Sequence, residues 1–319
     1  MSENAATTVT TVLGSVEPGE LGRVDTHEHL FLRSPLLVGD EIQDRAKVEE
    51  EVRAVRVSGI DTVVDLTPIG LGRRPGWTAA VSRRSGVNIV LATGIHRTAH
   101  YPRGHWVHEI GVDELTALMT EDLTVGIDER DWQGPTPRPG TVRAGIIKLG
   151  ASYHAIAPPE RVWLEAGARA ALATGVPVAV HCEVGTAAHD VLDLLDKFGV
   201  PPTRVMLAHM DRNIDVVLHD ELASRGAFLG YDTVGRTKYH ADAAVIELIA
   251  RVAERGRQGH VLLGTDVGRN SMLRAYGGGP GMDVLGRTFL PRLRRELGAD
   301  IEELVSVGNP ARFLTGGLP

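Results

Sequence analysis

Apolar and polar positions along this chain fall into two alternating regimes. Short, largely apolar runs recur near 22–27, 60–66, 87–94, 144–149, 177–182, 204–209, 226–232 and 260–265, as buried strands do. Between them lie longer stretches at 44–58, 75–85, 113–123, 159–174, 185–198, 214–224, 241–256 and 283–297, whose apolar residues recur at helical spacing. A further short helix is expected over 310–314, with Asn309 as its N-cap and Pro310 at the first helical position. Strand followed by helix, repeated without sequence repeats, predicts an α/β fold with parallel strands. Short linkers and the lack of any low-complexity run predict one domain over residues 1–319.

The ends of five runs change the picture. They read Val24-Asp25-Thr26-His27-Glu28-His29, Gly145-Ile146-Ile147-Lys148, Val178-Ala179-Val180-His181, Val205-Met206-Leu207-Ala208-His209 and Val261-Leu262-Leu263-Gly264-Thr265-Asp266. Carboxyl ends of parallel strands converge in a barrel, so these residues would form a shell for two divalent metals. His27 and His29, two apart on a strand, point to one face, whereas Glu28 points away and reads as structural. Only four of the 34 basic residues are lysine: Lys47, Lys148, Lys197 and Lys238. A lysine buried at a strand end must be paired with a carboxylate or neutralised. A neutral amine can react with carbon dioxide to give a carbamate able to bridge two metals, which arginine cannot do. The four sibling histidines favour the carbamate over the ion pair.

These residues resemble the amidohydrolase superfamily, in particular its phosphotriesterase-related branch, over about 14–313. The resemblance includes His27-x-His29, the lysine strand, His181, His209, Gly264-Thr265-Asp266 and the closing Asn309-Pro310-Ala311-Arg312-Phe313. It implies a (β/α)8 TIM barrel with a binuclear centre at its C-terminal face. By the same resemblance, His27, His29 and Asp266 hold the more buried ion, and His181 and His209 the more exposed one. Lys148, carried as N6-carboxylysine, bridges them. Zinc is the first choice, and manganese or cobalt also suit mixed nitrogen and oxygen ligands. Asp266 is expected to be catalytic as well, moving the proton of a metal-bridging hydroxide. Relatives are commonly homodimers.

Composition adds limits. A net charge of −7 with dispersed arginine argues against a nucleic-acid surface. One cysteine excludes an internal disulfide, and Cys182 reads as a packed thiol. The N-terminus has no export signal and no apolar run spans a membrane, so a cytoplasmic protein is expected. Asp65 reads as structural or supporting.

Three irregular stretches remain, at 96–112, 128–141 and 267–282. The first holds His96, His100, His105 and His108. Most of these are expected in solvent, while His96, directly after strand three, is a candidate substrate contact. Several relatives instead have a tyrosine near that place, against the bridging water. The third stretch contains Gly277-Gly278-Gly279-Pro280-Gly281, which is expected to act as a hinge in a lid. Lys238, Arg236 and Arg269 follow strands seven and eight, where barrels commonly bind phosphate. These loops resemble the branch that opens phosphorylated sugar lactones, although Met272 stands where that branch often has an aromatic residue. Three readings follow. The first is a lactonase for a small polar, phosphorylated or neutral, sugar lactone. The second is an amide or phosphotriester hydrolase on the same metals, and the third a non-catalytic barrel that binds a small molecule.

Overall fold

A hairpin of β1 (Val9–Thr11) and β2 (Gly14–Val16) precedes eight parallel strands that form a nearly closed barrel. These are β3 (Val24–Glu28), β4 (Thr62–Asp65), β5 (Asn88–Thr93), β6 (Ile146–Ala151), β7 (Val178–Cys182), β8 (Val205–Ala208), β9 (Phe228–Tyr231) and β10 (Val261–Leu263). The structure is a computed structural model and describes residues 8–133 and 137–317. Each strand pairs with its sequence neighbour, from β3 through to β10. Helices α1 (Arg45–Val57), α2 (Pro75–Ser85), α3 (Val112–Thr124), α4 (Pro158–Thr174), α5 (Ala188–Lys197), α6 (Val216–Ser224), α7 (Asp242–Glu254) and α8 (Leu290–Leu297) form the outer layer. The strands are buried on both faces because their side chains serve two cores. Residues such as Val64, Val90, Ile146, Ala179, Met206 and Leu262 fill one cluster, closed by Leu21, Phe313 and Leu314. Their alternate neighbours, such as Val63, Ile147 and Val180, pack in the larger cluster with the helices.

Sequence and structure differ at four places. The hairpin β1–β2 was not anticipated, and it docks on the barrel through the Val12 amide, which donates to Ile89 O at 2.9 Å. The stretch 283–297 begins as a π-turn over Leu285–Phe289 before α8, next to Pro291, which has no amide to donate. Asn309 is not an N-cap. Helical turns run from Ala299 through Leu314, and Asn309 lies within them at φ −65°. Its side-chain amide instead donates to Gln258 O and Val261 O, each at 2.8 Å. The glycine-rich turn at 277–281 is not a free hinge over the site. Buried Glu51 of α1 accepts the flanking amides of Ala275, at 2.7 Å, and Met282, at 3.1 Å.

Side chains and irregular backbone seal the barrel between β3 and β10. Thr26 Oγ1 donates to Leu263 O at 2.8 Å, and the Asp266 amide donates to His27 O at 2.8 Å. Glu28 turns outward and accepts from the Val267 amide at 3.0 Å and from the Thr265 hydroxyl. Glu28→Ala would orphan both donors. Each buried unsatisfied group costs about 1–3 kcal/mol, so the urea midpoint of the metal-free protein should fall clearly. A midpoint within error of the parent would remove Glu28 from the seam.

Candidate metal centre

Most donor residues sit where the strands run out, but Lys148 does not reach the expected strand end: it is the third residue of β6, which continues to Ala151. His27 and Lys148 lie on strands, and His181 is the penultimate residue of β7. His209 and Asp266 follow their strands in the left-handed region, at φ 66° and 46°. Such backbone is uncommon outside glycine, and its occurrence at two of the expected ligands is typical of functional sites.

These residues converge. His27 Nε2 and His29 Nε2 lie 3.6 and 3.3 Å from Asp266 Oδ1. His209 Nε2 lies 2.8 Å from His181 Nδ1, and Lys148 Nζ lies 3.3 Å from His27 Nε2. His27, His29 and Asp266 form one group able to hold a metal, and His27, His209 and Asp232 form another. The far nitrogens are anchored. His27 Nδ1 and His209 Nδ1 each lie 2.7 Å from a different oxygen of Asp232, and His29 Nδ1 lies 2.9 Å from Thr67 Oγ1. With Nδ1–H donated to Asp232, His27 and His209 keep their Nε2 lone pairs for the centre. The donor set therefore fits metal ions.

The electrostatics agree. Burial, reinforced by Lys148, lowers the His27 pKa to about 3, and burial also lowers those of His181 and His209. Neutral imidazole is the ligating form. Burial lowers the Lys148 pKa to about 8 against the pull of Asp232 and Asp266. Burial pushes the Asp266 carboxyl up, but Arg236 and His27 outweigh it and hold it well below its usual range. Arg236 pairs with Asp266 Oδ2, and Arg212 lies 2.7 Å from the same oxygen. Burial pushes the Cys182 thiol up to about 12, consistent with a packed role.

Above these groups lies a cavity of about 110 Å³, whose lining includes His96, His100, Arg236 and Arg269. His96 Nδ1 accepts the Arg97 amide at 2.7 Å. His100, His105 and His108 are all half-buried, departing from the solvent positions expected of most of them, and His100 packs against His96 at 3.9 Å between centroids. Arg269 is exposed at the rim and paired with Asp40 at 3.2 Å. Lys238 does not line the cavity. It is exposed, 4.7 Å above the Tyr239 ring, which Arg212 and Arg236 also approach, at 4.4 and 5.3 Å.

Sequence reasoning missed Asp232, Arg212 and Glu183. Asp232 carried a usable signal, since it follows β9 as His209 follows β8. Arg212 and Glu183 lie in short turns and had none.

A parallel barrel with such a donor set at its carboxyl end is the architecture of a hydrolase. Residues 7–314 match the phosphotriesterase family, and the chain belongs to it. The chain is 30% identical to the phospho-furanose lactonase of Mycoplasmopsis synoviae (strain 53), over 95% of this chain and 90% of that one. Its structure is similar to that of a lactonase from Listeria monocytogenes, with a TM-score of 0.89 and 26% identity, covering 96% of this chain and 98% of the other. It also resembles the phosphotriesterase homology protein from Escherichia coli complexed with phosphate in its active site. There the TM-score is 0.84 and the identity 29%, over 92% of this chain and 99% of that one. Among the described residues, no helix is long and apolar enough to cross a membrane.

If Asp232 orients two of the donor rings, Asp232→Ala should weaken binding of divalent metal by about 10- to 100-fold. Calorimetric titration of metal-free protein measures this, and parent-like affinity would show that the rings hold their pose without it.

Proposed function

We propose that this chain is a metal-dependent lactonase that opens a small polar sugar lactone bearing a phosphate-type anionic group. The observation that carries the reading is the cluster of cations beside the donor set: Arg212, Arg236 and Lys238 around Tyr239, with Arg269 on the cavity wall. The names of the Mycoplasmopsis relative and of the phosphate-bound Escherichia coli structure support the same class.

In this reading His27, His29 and Asp266 would hold one ion and His181 and His209 a second, with carboxylated Lys148 as a further ligand and zinc as the first candidate metal. When bound, such ions supply Lewis acidity and bring the pKa of water near neutrality. Asp266 takes the proton of the attacking water as its oxygen adds to the lactone carbonyl. As the ring C–O bond breaks, Asp266 returns that proton to the leaving oxygen. His96, with Nδ1 occupied by the Arg97 amide, carries its ring proton on Nε2 and can donate to the substrate. Arg236 and Arg212 keep Asp266 ionised between turnovers. The rim cations bind the anionic group by charge-assisted hydrogen bonds.

Carboxylation requires the neutral amine, so raising the pH through about 8 should favour it. At fixed dissolved carbon dioxide, the neutral fraction rises between about pH 7.0 and pH 8.5. Metal-free protein should then regain metal faster at the higher pH. His27, His181 and His209 are held neutral across this interval and do not drive the change. Reloading that ignores both pH and carbon dioxide would remove the carbamate.

The substrate class is tested on a matched pair of lactones, with and without phosphate. Lys238→Ala and Arg269→Ala should each lower kcat/KM on the phosphorylated lactone by about 10- to 100-fold, at about 1.4 kcal/mol per decade. The neutral lactone should barely respond. A parent enzyme that prefers the neutral lactone, or an amide, overturns the phosphate reading.

A further inference from the structure

The four donor histidines are not supported alike. His27 and His209 share the buried carboxylate of Asp232, and His29 meets the Thr67 hydroxyl in the barrel wall. His181 alone is held from its own following turn. Its Nε2 lies 2.7 Å from Glu183 Oε2, on a side chain that is 23% exposed. Arg97, from the loop after β5, brings its Nε to 3.0 Å from the same oxygen, close enough for an ion pair though not aligned as a hydrogen bond. With Nε2–H given to Glu183, the lone pair of His181 falls on Nδ1. That is the nitrogen 2.8 Å from His209 Nε2.

The turn that carries Glu183 is strained and clamped. Val184, Gly185 and Ala187 have φ of 56°, 66° and 57°. A β-branched residue in this region is a genuine outlier, and such backbone persists only where its surroundings dictate it. Those surroundings are the other ligand's strand end. A Cβ added at Gly185 would stand 3.1 Å from His209 O and 2.9 Å from Asn213 Cβ. The turn is thus wedged against His209 while it presents a carboxylate to His181.

We propose that Glu183, backed by Arg97, is the positioning residue of the outer metal position. It selects Nδ1 of His181 as the ligating atom and sets the affinity of that position separately from the inner one. This rests on the binuclear reading above.

The test is calorimetric titration of metal-free, full-length protein with zinc, in the absence of substrate. The parent should show two binding events. Glu183→Ala should weaken one of them by about 10- to 100-fold and leave the other unchanged. The unchanged event doubles as evidence that the variant is folded. Glu183→Gln, which keeps an acceptor for the ring N–H, should recover part of the loss. The proposal is overturned by an Ala variant with both parental affinities, by a loss shared equally between the two events, or by a Gln variant no better than Ala. A parent that binds no metal removes the binuclear reading and this proposal with it. A parent with two ions and an unaffected Ala variant overturns this proposal alone.

Discussion

Two of the four donor rings at the candidate centre depend on one buried carboxylate held between them. Asp232 accepts from His27 Nδ1, from His209 Nδ1 and from the His209 amide at 3.0 Å, all out of contact with water. Burial alone would push this carboxyl up, but His209 and His27 hold it below its ordinary range. The surrounding backbone makes room for it. A Cβ at Gly264 would come within 3.0 Å of His27 and 3.2 Å of Asp232, and one at Gly230 within 3.1 Å of Asp232 Oδ2. Two glycines, one on β9 and one just past β10, thus let a strand-end carboxylate reach rings from β3 and β8.

Around that fixed point the charges suit metal ions. Several neutral imidazoles, one anionic Asp266 and one lysine whose pKa has fallen to about 8 share a small volume. The two arginines on Asp266 satisfy one of its oxygens and leave Oδ1 directed at His27 and His29. Such preorganisation lets charge develop during reaction without rearranging the site.

Much of this was legible in the sequence, because buried parallel strands advertise themselves as apolar runs and their ends are where a barrel places chemistry. The positions of His27, His181, His209 and Asp266 followed from that rule, whereas Lys148 lies three residues short of the end of its strand. Asp232 obeys the same rule, since it closes the run at 226–232, yet it was not singled out as a site residue. Glu183 and Arg212 could not be read at all, since local backbone with little sequence signature sets their direction. The helical turns of 299–308 escaped because π-turns at Leu304–Gly308 break the 3.6-residue period on which the reading rests. The glycine run at 277–281 looked like a hinge because its tether, Glu51, lies more than two hundred residues away in the chain.

The seam between β3 and β10 gives the centre a second aspect. His27 and His29 belong to the first side of that join and Asp266 to the other, and their donor atoms face one another across it. Elsewhere in the barrel neighbouring strands are stitched by ladder hydrogen bonds, whereas here a few side chains and two amides carry the closure. An ion gripped by these three residues would act as a rivet through the weakest line of the cylinder, joining segments some 240 residues apart in the chain. Closing so long a loop is where a cross-link constrains the unfolded chain most. Loss of the ion and breathing of the barrel would then be one event seen from two sides.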